Sequence, residues 1–180
     1  MSRYIALLRG INVSGQKKIK MSELKNLFEN LGFQDVITYI QSGNVIFSSK
    51  EKSISKLANK ISSGIKAKYN FDVNVLILTP QEIDWALKNN PFIKKKKEIE
   101  RLYVTFLSSK PSTESINILK EISFLPEEYS LNEKNIYLFF PNGAGKAKLN
   151  NNFIEKKLKV VGTTRNWKTV TALSELVNSQ

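Results

Sequence analysis

Two residue types are missing from this 180-residue chain, and their absence excludes several kinds of chemistry. Without cysteine the protein has no disulfide, no thiolate nucleophile and no thiolate metal ligand. Without histidine it has no Ser-His-Asp or Cys-His catalytic system and no imidazole ligand for zinc. Any acid–base chemistry would need a carboxylate, lysine or tyrosine with a shifted pKa. The sequence therefore identifies no catalytic residue, metal site or cofactor, and leaves open whether the protein is an enzyme.

Long apolar runs are also missing. No stretch approaches the roughly 20 residues that a membrane-spanning helix requires. The charges at Arg3 and Arg9 leave too short an apolar segment between them for a secretion signal. We therefore expect a cytoplasmic protein without a membrane partner. Hydrophobic residues make up 41% of the chain, which is enough for a packed core.

Acidic residues are few, with 16 Asp and Glu against 28 Lys and Arg, which gives a formal net charge of +12. Such an excess invites a nucleic-acid interpretation. However, the arginines are confined to four positions (Arg3, Arg9, Arg101 and Arg165), and the rest of the excess is lysine. This pattern favours a solvated lysine-rich surface, with nucleic-acid binding as the alternative. We expect residues 94–97, all lysine, to lie in a solvated linker.

The chain contains an internal repeat. RYIALL at residues 3–8 is echoed by RLYVTFL at 101–107, and NVIF at 44–47 is echoed by NIYLF at 135–139. Thr79-Pro80, which precedes Trp85, is echoed by Thr163-Thr164, which precedes Trp167. Because the echoes keep their order, they indicate one supersecondary unit used twice.

Periodicity predicts the elements of the first copy. Residues 4–9, 35–41, 44–48 and 73–78 have strand patterns. Apolar residues at helical spacing indicate a helix through residues 24–31, with Ser22 as its cap and Gly32 as its end, and another over 54–69. The order is βαββαβ, that of a ferredoxin-like unit. Thr79 and Glu82 form a capping-box pattern that starts a further helix, which ends by Asn90.

The second copy follows the same plan with shorter loops. We predict strands over 102–107, 129–131, 136–140 and 160–161, and helices after Pro111, over 149–158 and over 166–177. The fold class is therefore α+β, with two ferredoxin-like halves from an internal duplication. The first half spans 1–92 with its following helix, and the second, shortened half spans 98–180. The halves could share one longer sheet or form separate lobes.

The segment after the first strand, residues 8–18, is the main candidate for ligand binding. It contains Arg9, Gly10, Asn12, Lys17 and Lys18. Glycine lets the backbone approach a ligand, and successive backbone N–H groups near lysines suit an anion such as phosphate. Arg9 is notable in a chain that mostly uses lysine, because guanidinium offers several donors in one plane. An ordinary loop with solvated lysines is the alternative, since the spacing matches neither a dinucleotide fingerprint nor a P-loop.

Three other segments contain candidate residues. Residues 41–44, which include Asn44, could form a polar recognition tip or an ordinary hairpin turn; we expect this hairpin at the opposite sheet edge from Gly10. Arg165, Asn166 and Trp167 open the last helix, where an anion could bind, although Trp167 also has the spacing of a core residue. Residues 141–147 resemble a phosphate loop but lack its essential Gly and Ser/Thr, which favours a glycine turn.

Three segments in register resemble a known family: LLRGINV at 7–13, YIQSGNV at 39–45 and TRNW at 164–167. It is a family of small bacterial proteins, close in length to this 180-residue chain, that is classed as a domain of unknown function. The chain departs from the family pattern at Ser14, where Gly is frequent, and at Lys168, where Asn is frequent. The resemblance implies an α+β fold with ferredoxin-like halves and brings no activity, substrate or catalytic residue with it.

Three functions follow from these observations. The first is binding of a small anionic ligand, of which a phosphorylated one is an example, by the candidate residues above. The second is binding of RNA or single-stranded DNA, although the strand at residues 44–48 lacks the aromatic pattern of RNA-recognition sheets. The third is a structural or partner-binding module that uses its sheet edges. The sequence does not give the ligand's identity or the oligomeric state.

Overall fold

Helices and strands follow one another in mixed order through the described part of the chain. A computed structural model describes residues 1–179. In chain order the elements are β1 (Ser2–Leu8), α1 (Met21–Asn30), β2 (Gln34–Tyr39), β3 (Asn44–Ser49), α2 (Ile54–Tyr69), β4 (Val75–Leu78), α3 (Pro80–Lys88), α4 (Pro91–Lys94), β5 (Leu102–Leu107), α5 (Thr113–Lys120), β6 (Glu128–Asn132), β7 (Asn135–Phe139), α6 (Asn151–Leu158), β8 (Gly162–Asn166) and α7 (Trp167–Asn178). Short 3₁₀ turns lie at Ile99–Arg101 and Ala144–Lys146.

The strands form two separate four-stranded antiparallel sheets. Their orders are β2-β3-β1-β4 and β6-β7-β5-β8, which are the same arrangement used twice. Each is the sheet of a βαββαβ ferredoxin-like unit, so the predicted fold class is confirmed. The sequence left open whether the two halves share one longer sheet. The hydrogen bonding shows that they do not, because β1–β4 and β5–β8 form separate sheets.

The chain packs as two compact units that do not follow the sequence halves. The first unit contains residues 1–84 together with 172–179, and the second contains Trp85–Thr171. Asp84 accepts hydrogen bonds from Ser174 Oγ (2.6 Å) and Asn178 Nδ2 (3.0 Å), so α3 is tied to the end of α7 within the first unit. The boundaries 1–92 and 98–180 refer to the two copies of the sequence repeat, not to these compact units, and they stay a prediction.

The core of the first unit lies between one face of its sheet and the helices α1 and α2. Leu24 and Phe28 of α1 and Leu57, Ile61 and Ile65 of α2 are almost completely buried there. Aromatic rings fill the space over the strands, with Phe33 and Phe47 centred 4.6 Å apart. Fully burying a side chain of this size contributes about 1.5–3 kcal/mol, so this layer holds the helices on the sheet.

The other face of the first sheet is buried as well. Ile5 and Leu7 of β1 and Ile46 of β3 have no exposed surface. Side chains alternate between the faces of a strand, so these residues point away from α1 and α2. The central strands are therefore apolar on both faces and offer no open aromatic surface.

Helix starts follow local capping chemistry. The predicted capping box of α3 is confirmed, because Glu82 N–H donates to Thr79 Oγ1 (3.2 Å) and Thr79 N–H donates to the Glu82 carboxylate (2.9 Å). The predicted Ser22 cap of α1 is wrong. The helix begins at Met21, and Lys20, two residues before Ser22, occupies the cap position without a side-chain bond.

The second copy contains the one strand that the sequence placed wrongly. Residues 160–161 are not a strand; β8 follows them, at Gly162–Asn166, and α7 begins at Trp167. Val161 O accepts Ser108 N–H (2.9 Å), as Asn74 O accepts Arg9 N–H (3.0 Å) in the first copy. Val161 therefore corresponds to Asn74.

This correspondence corrects one of the three echoes. Counting along β4 and β8 from these residues pairs Thr79 with Asn166, and both cap the helix that follows. The echo of Thr79-Pro80 at Thr163-Thr164 is therefore wrong, because the two threonines are strand residues of β8.

The lysine run at residues 94–97 is only partly a solvated linker. Its first residue ends α4, a single turn that the sequence did not predict, in which Asn90 Oδ1 accepts Phe92 N–H (2.9 Å). Lys97 forms an ion pair with Glu128 and lies 4.5 Å from the centre of the Phe139 ring. A lysine stem on an aromatic face is ordinary packing, so Lys97 is a structural residue of the second unit.

Candidate functional site

Three loops meet at one end of the first sheet. Since β3 and β4 are both antiparallel to β1, the loop after β1, the hairpin before β3 and the loop before β4 lie at the same end. We call residues 9–20, 40–43 and 70–74 together the loop end. The prediction that the hairpin lies at the opposite edge from Gly10 is wrong, because it overlooked that β1 and β3 are neighbours.

Gly43 is the point of closest approach between the hairpin and the β1 strand. Its carbonyl accepts Leu8 N–H at 2.8 Å. A Cβ at this position would lie 2.7 Å from Ile11 Cδ1 and 2.8 Å from Leu8 Cβ, and φ is +80°. Only glycine fits this position, so the hairpin residues 41–44 do serve as a tight turn.

Asn12 holds the β1–α1 loop in shape. Its Nδ2 donates to Ile19 O and to Gln41 O, both at 2.9 Å, and its Oδ1 accepts Ile19 N–H at 2.8 Å. One side chain thus closes the loop on itself and ties it to the hairpin. The amide is fully engaged with backbone groups, so Asn12 positions the loop.

Asn44 has a similar structural role in the hairpin. It has no exposed surface, and its Nδ2 donates to Tyr39 O (3.0 Å) and Ser42 Oγ (2.9 Å). A buried amide needs such partners, because an unsatisfied one costs about 1–3 kcal/mol. The corresponding Asn135 of the second copy is also buried at the start of its strand.

The backbone of the β1–α1 loop turns repeatedly through the left-handed region. Positive φ angles occur at Gly10 (72°), Asn12 (55°), Ser14 (50°), Gly15 (74°) and Lys17 (45°). Ser14 and Gly15 are consecutive, and they lie in a tight turn in which Gln16 N–H donates to Val13 O at 2.9 Å; Asn12 N–H donates to Lys17 O at 3.1 Å. The loop is therefore a small hairpin closed by its own backbone hydrogen bonds.

Three basic side chains belong to the same loop. Lys18 is exposed and Arg9 is half-buried at the end of β1. Lys17 Nζ donates to the backbone oxygen of Asp72 at 2.6 Å, which fixes the ammonium at the loop end while two of its three protons point elsewhere. The nearby Asp72 carboxylate pairs with Lys66 at 2.9 Å. The side chain of Asp72 thus has its own cation, and the loop keeps a positive charge.

The remaining candidates belong to the second unit, in β8 and at the start of α7. Arg165 is in β8 rather than in a helix; it is 8% exposed, its Nη1 donates to Thr164 O (2.9 Å), and burial lowers its pKa to about 10. Asn166 Oδ1 accepts Thr169 N–H (2.8 Å) and caps α7. Trp167 is 8% exposed, in agreement with the core spacing of the sequence.

The polar residues of the predicted anion site at the start of the last helix therefore make contacts within the protein. The hydroxyl of Thr164 bonds to the side chains of Thr105 (2.7 Å) and Asn151 (2.8 Å) within the second unit. Arg165, Asn166 and Trp167 stay candidates by prediction, but their known contacts stabilise β8 and the first turn of α7.

Neither a metal-ligand cluster nor a membrane-spanning helix is found among residues 1–179. No group of three or more carboxylates in this range could hold a metal ion. In the same range, no helix is both long and apolar enough to cross a bilayer.

Comparisons with known proteins agree with this architecture. A solved structure described as that of the conserved bacterial protein SP0830 from Streptococcus pneumoniae is similar over 98% of this chain and 99% of that one, with 25% identity and a TM-score of 0.78. A search of curated proteins finds no significant match. The model of DUF1697, described as a protein of unknown function, matches residues 1–137. This match runs from β1 into β7 and covers most of the chain, and the protein therefore belongs to the DUF1697 family.

Proposed function

We propose that this protein binds a small anionic ligand, in particular a phosphorylated one, at the loop end of the first sheet. The contacts come from the backbone of residues 10–18 and from Arg9, Lys17 and Lys18. Asn12 and Asn44 hold the backbone in place, and Gly10 turns it out of the strand. A cytoplasmic location, as expected from the sequence, is part of this proposal.

One observation supports the proposal above all others: the loop is both positively charged and anchored. Asn12 makes three hydrogen bonds to backbone groups, so the left-handed residues around it keep their conformation. A loop whose backbone is already fixed does not need to be ordered on binding, which is why preorganised loops bind ligands more tightly. An ordinary loop with solvated lysines would need no such anchor.

Nucleic-acid binding has less support. Proteins with ferredoxin-like sheets bind RNA by stacking bases on exposed aromatic side chains of the central strands. Here the face of the first sheet that is turned away from α1 and α2 carries Ile5, Leu7 and Ile46, all fully buried. Neither the residue type nor the exposure suits base stacking.

The test is calorimetric titration of the full chain with pyrophosphate at fixed ionic strength. We expect binding, and we expect K17Q/K18Q to weaken it roughly tenfold, because each charge-assisted hydrogen bond contributes on the order of 1.5–3 kcal/mol before solvent screening. The matched control is K50Q/K52Q, which removes the same charge from two exposed lysines at the other end of the same sheet.

An equal loss in both double variants would show that only net charge matters, and the proposed site would be wrong. Absence of heat with pyrophosphate at millimolar concentration in the unmodified protein would reject the proposal itself. Binding of single-stranded RNA that weakens steeply with salt, without any response to pyrophosphate, would favour the nucleic-acid alternative instead.

A further inference from the structure

The second unit contains a cleft that the proposal above does not use. It has a volume of about 540 Å³ and lies between residues 125–127 and residues 140–148, beside Arg101. This size is within the range of small-molecule sites, which are typically about 300–1,000 Å³. Every residue that lines it belongs to the second unit, so the cleft is complete within one compact body.

Three cations line the cleft: Arg101, Lys146 and Lys148. Its single acidic residue is Glu127, whose carboxylate oxygens accept the backbone N–H groups of Lys148 (2.7 Å) and Leu149 (2.9 Å). Those bonds orient the carboxylate toward the backbone and satisfy part of its charge. The lining residues therefore leave a net positive charge in the cleft.

Arg101 is held at the cleft by the glycine turn. The ideal Cβ position of Gly143 lies 3.3 Å from Arg101 Nη1, and φ at Gly143 is +82°. The absence of a side chain at residue 143 thus makes room for the guanidinium. The Arg101 Nε lies 3.9 Å from Glu98, but this pair is exposed and weak, and a guanidinium has further donors for a ligand.

The cleft also has an apolar wall. Leu125 is 76% exposed, and Pro126 and Pro141 lie beside it along the lining. An exposed leucine next to a cationic cluster suits a ligand that has both an anionic group and an apolar body. Covering Leu125 would add a hydrophobic contribution that an inorganic ion cannot supply.

We propose that this cleft binds a phosphate monoester with an apolar or aromatic body. A phosphate monoester carries nearly two negative charges at neutral pH, which matches three cations and one engaged carboxylate better than a monocarboxylate does. Arg101 binds the phosphate through its planar donors, Lys146 and Lys148 supply further charge, and the apolar body rests on Leu125. The glycine turn contributes space for Arg101, so no Walker-type phosphate loop is needed.

The experiment is an NMR titration of the ¹⁵N-labelled full chain with phenyl phosphate, in parallel with inorganic phosphate and phenol. We expect shifts of the backbone amides in residues 125–127 and 140–148, with Gly143 and Gly145 as distinctive reporters. Phenyl phosphate should bind more tightly than either fragment. R101Q should weaken it roughly tenfold, and R101K should also weaken it, because an ammonium lacks the planar fork.

The matched control is K110Q, which removes one positive charge at the other end of the same sheet. K146Q/K148Q provides a second test at two exposed side chains, in case R101Q does not fold. Binding that R101Q and K146Q/K148Q leave unchanged would overturn the inference. Shifts confined to residues 9–20 would also overturn it, while supporting the loop end. Shifts confined to the cleft would support it, and the loop end would then be decided by the pyrophosphate titration of K17Q/K18Q, so the two proposals fail independently.

Discussion

Replacing Asn12 tests whether one side chain holds the β1–α1 loop. N12A removes three hydrogen bonds of 2.8–2.9 Å to backbone groups. Each contributes about 0.5–1.5 kcal/mol net, and their partial exposure puts the sum near 2 kcal/mol. The residue also has φ of +55°, where alanine is less favourable than asparagine by about 1 kcal/mol. We therefore expect N12A to lower the free energy of unfolding by about 3 kcal/mol.

A companion variant separates the two contributions. N12G loses the same hydrogen bonds but tolerates the positive φ, so we expect a loss of about 2 kcal/mol. S14A provides the control, because Ser14 has a similar φ of +50° and an exposed side chain, and we expect a change below about 0.5 kcal/mol.

The measurement is urea unfolding at 25 °C followed by far-UV circular dichroism. With an m value of about 1–3 kcal/mol per molar urea, a loss of about 3 kcal/mol should lower the N12A midpoint by about 1–3 M. Hydrogen exchange at the Ile19 amide should accelerate in both Asn12 variants, because its acceptor is the Asn12 side chain. If N12A shifts the midpoint no more than S14A does, the loop is held by something other than this residue, and the argument for a preorganised site loses its basis.

Two further predictions concern single buried positions. G43A should destabilise the protein by about 3 kcal/mol in the same urea assay, because its Cβ would lie 2.7 Å from Ile11 Cδ1. G10A is the control and should cost about 1 kcal/mol, because φ is +72° there and no other atom would lie within 4 Å of the new Cβ. Equal losses in the two variants would refute the steric argument. Burial raises the pKa of Tyr137 well above its ordinary value, the neighbouring Asn135 lowers it slightly, and no hydrogen bond of normal geometry reaches the Tyr137 hydroxyl. Y137F should therefore be neutral or about 1 kcal/mol more stable at pH 7, and a marked loss of stability at that pH would contradict this. Above pH 10 it should lose less stability than the unmodified protein, because a raised tyrosine pKa contributes stability that disappears as pH rises.

Much of the architecture could be predicted because it depends on local patterns. Apolar spacing gave α1 and α2, and the capping box gave α3. The echo of NVIF at residues 135–139 identified the matching strands β3 and β7, each of which begins with a buried asparagine. These features depend on neighbours in the chain, which a sequence displays directly.

The rest depends on contacts between distant residues. β8 was missed because Thr163, Thr164 and Arg165 look like a polar helix start, and only pairing with β5 shows that they form a strand. The loop end was misplaced because its three segments meet through strand order. Asn12 was identified as a candidate, but its bond to Gln41, 29 positions away, has no local signal. The importance of Arg101 was equally hidden, because the glycine turn beside it lies about 40 positions later in the chain.

The two compact units have a consequence for fragments of the chain. Residues 172–179 complete the packing of the first unit, where Ser174 and Asn178 donate hydrogen bonds to Asp84. A cut between residues 85 and 171 would therefore separate the first unit from its own final segment, so neither sequence half alone contains a complete compact unit.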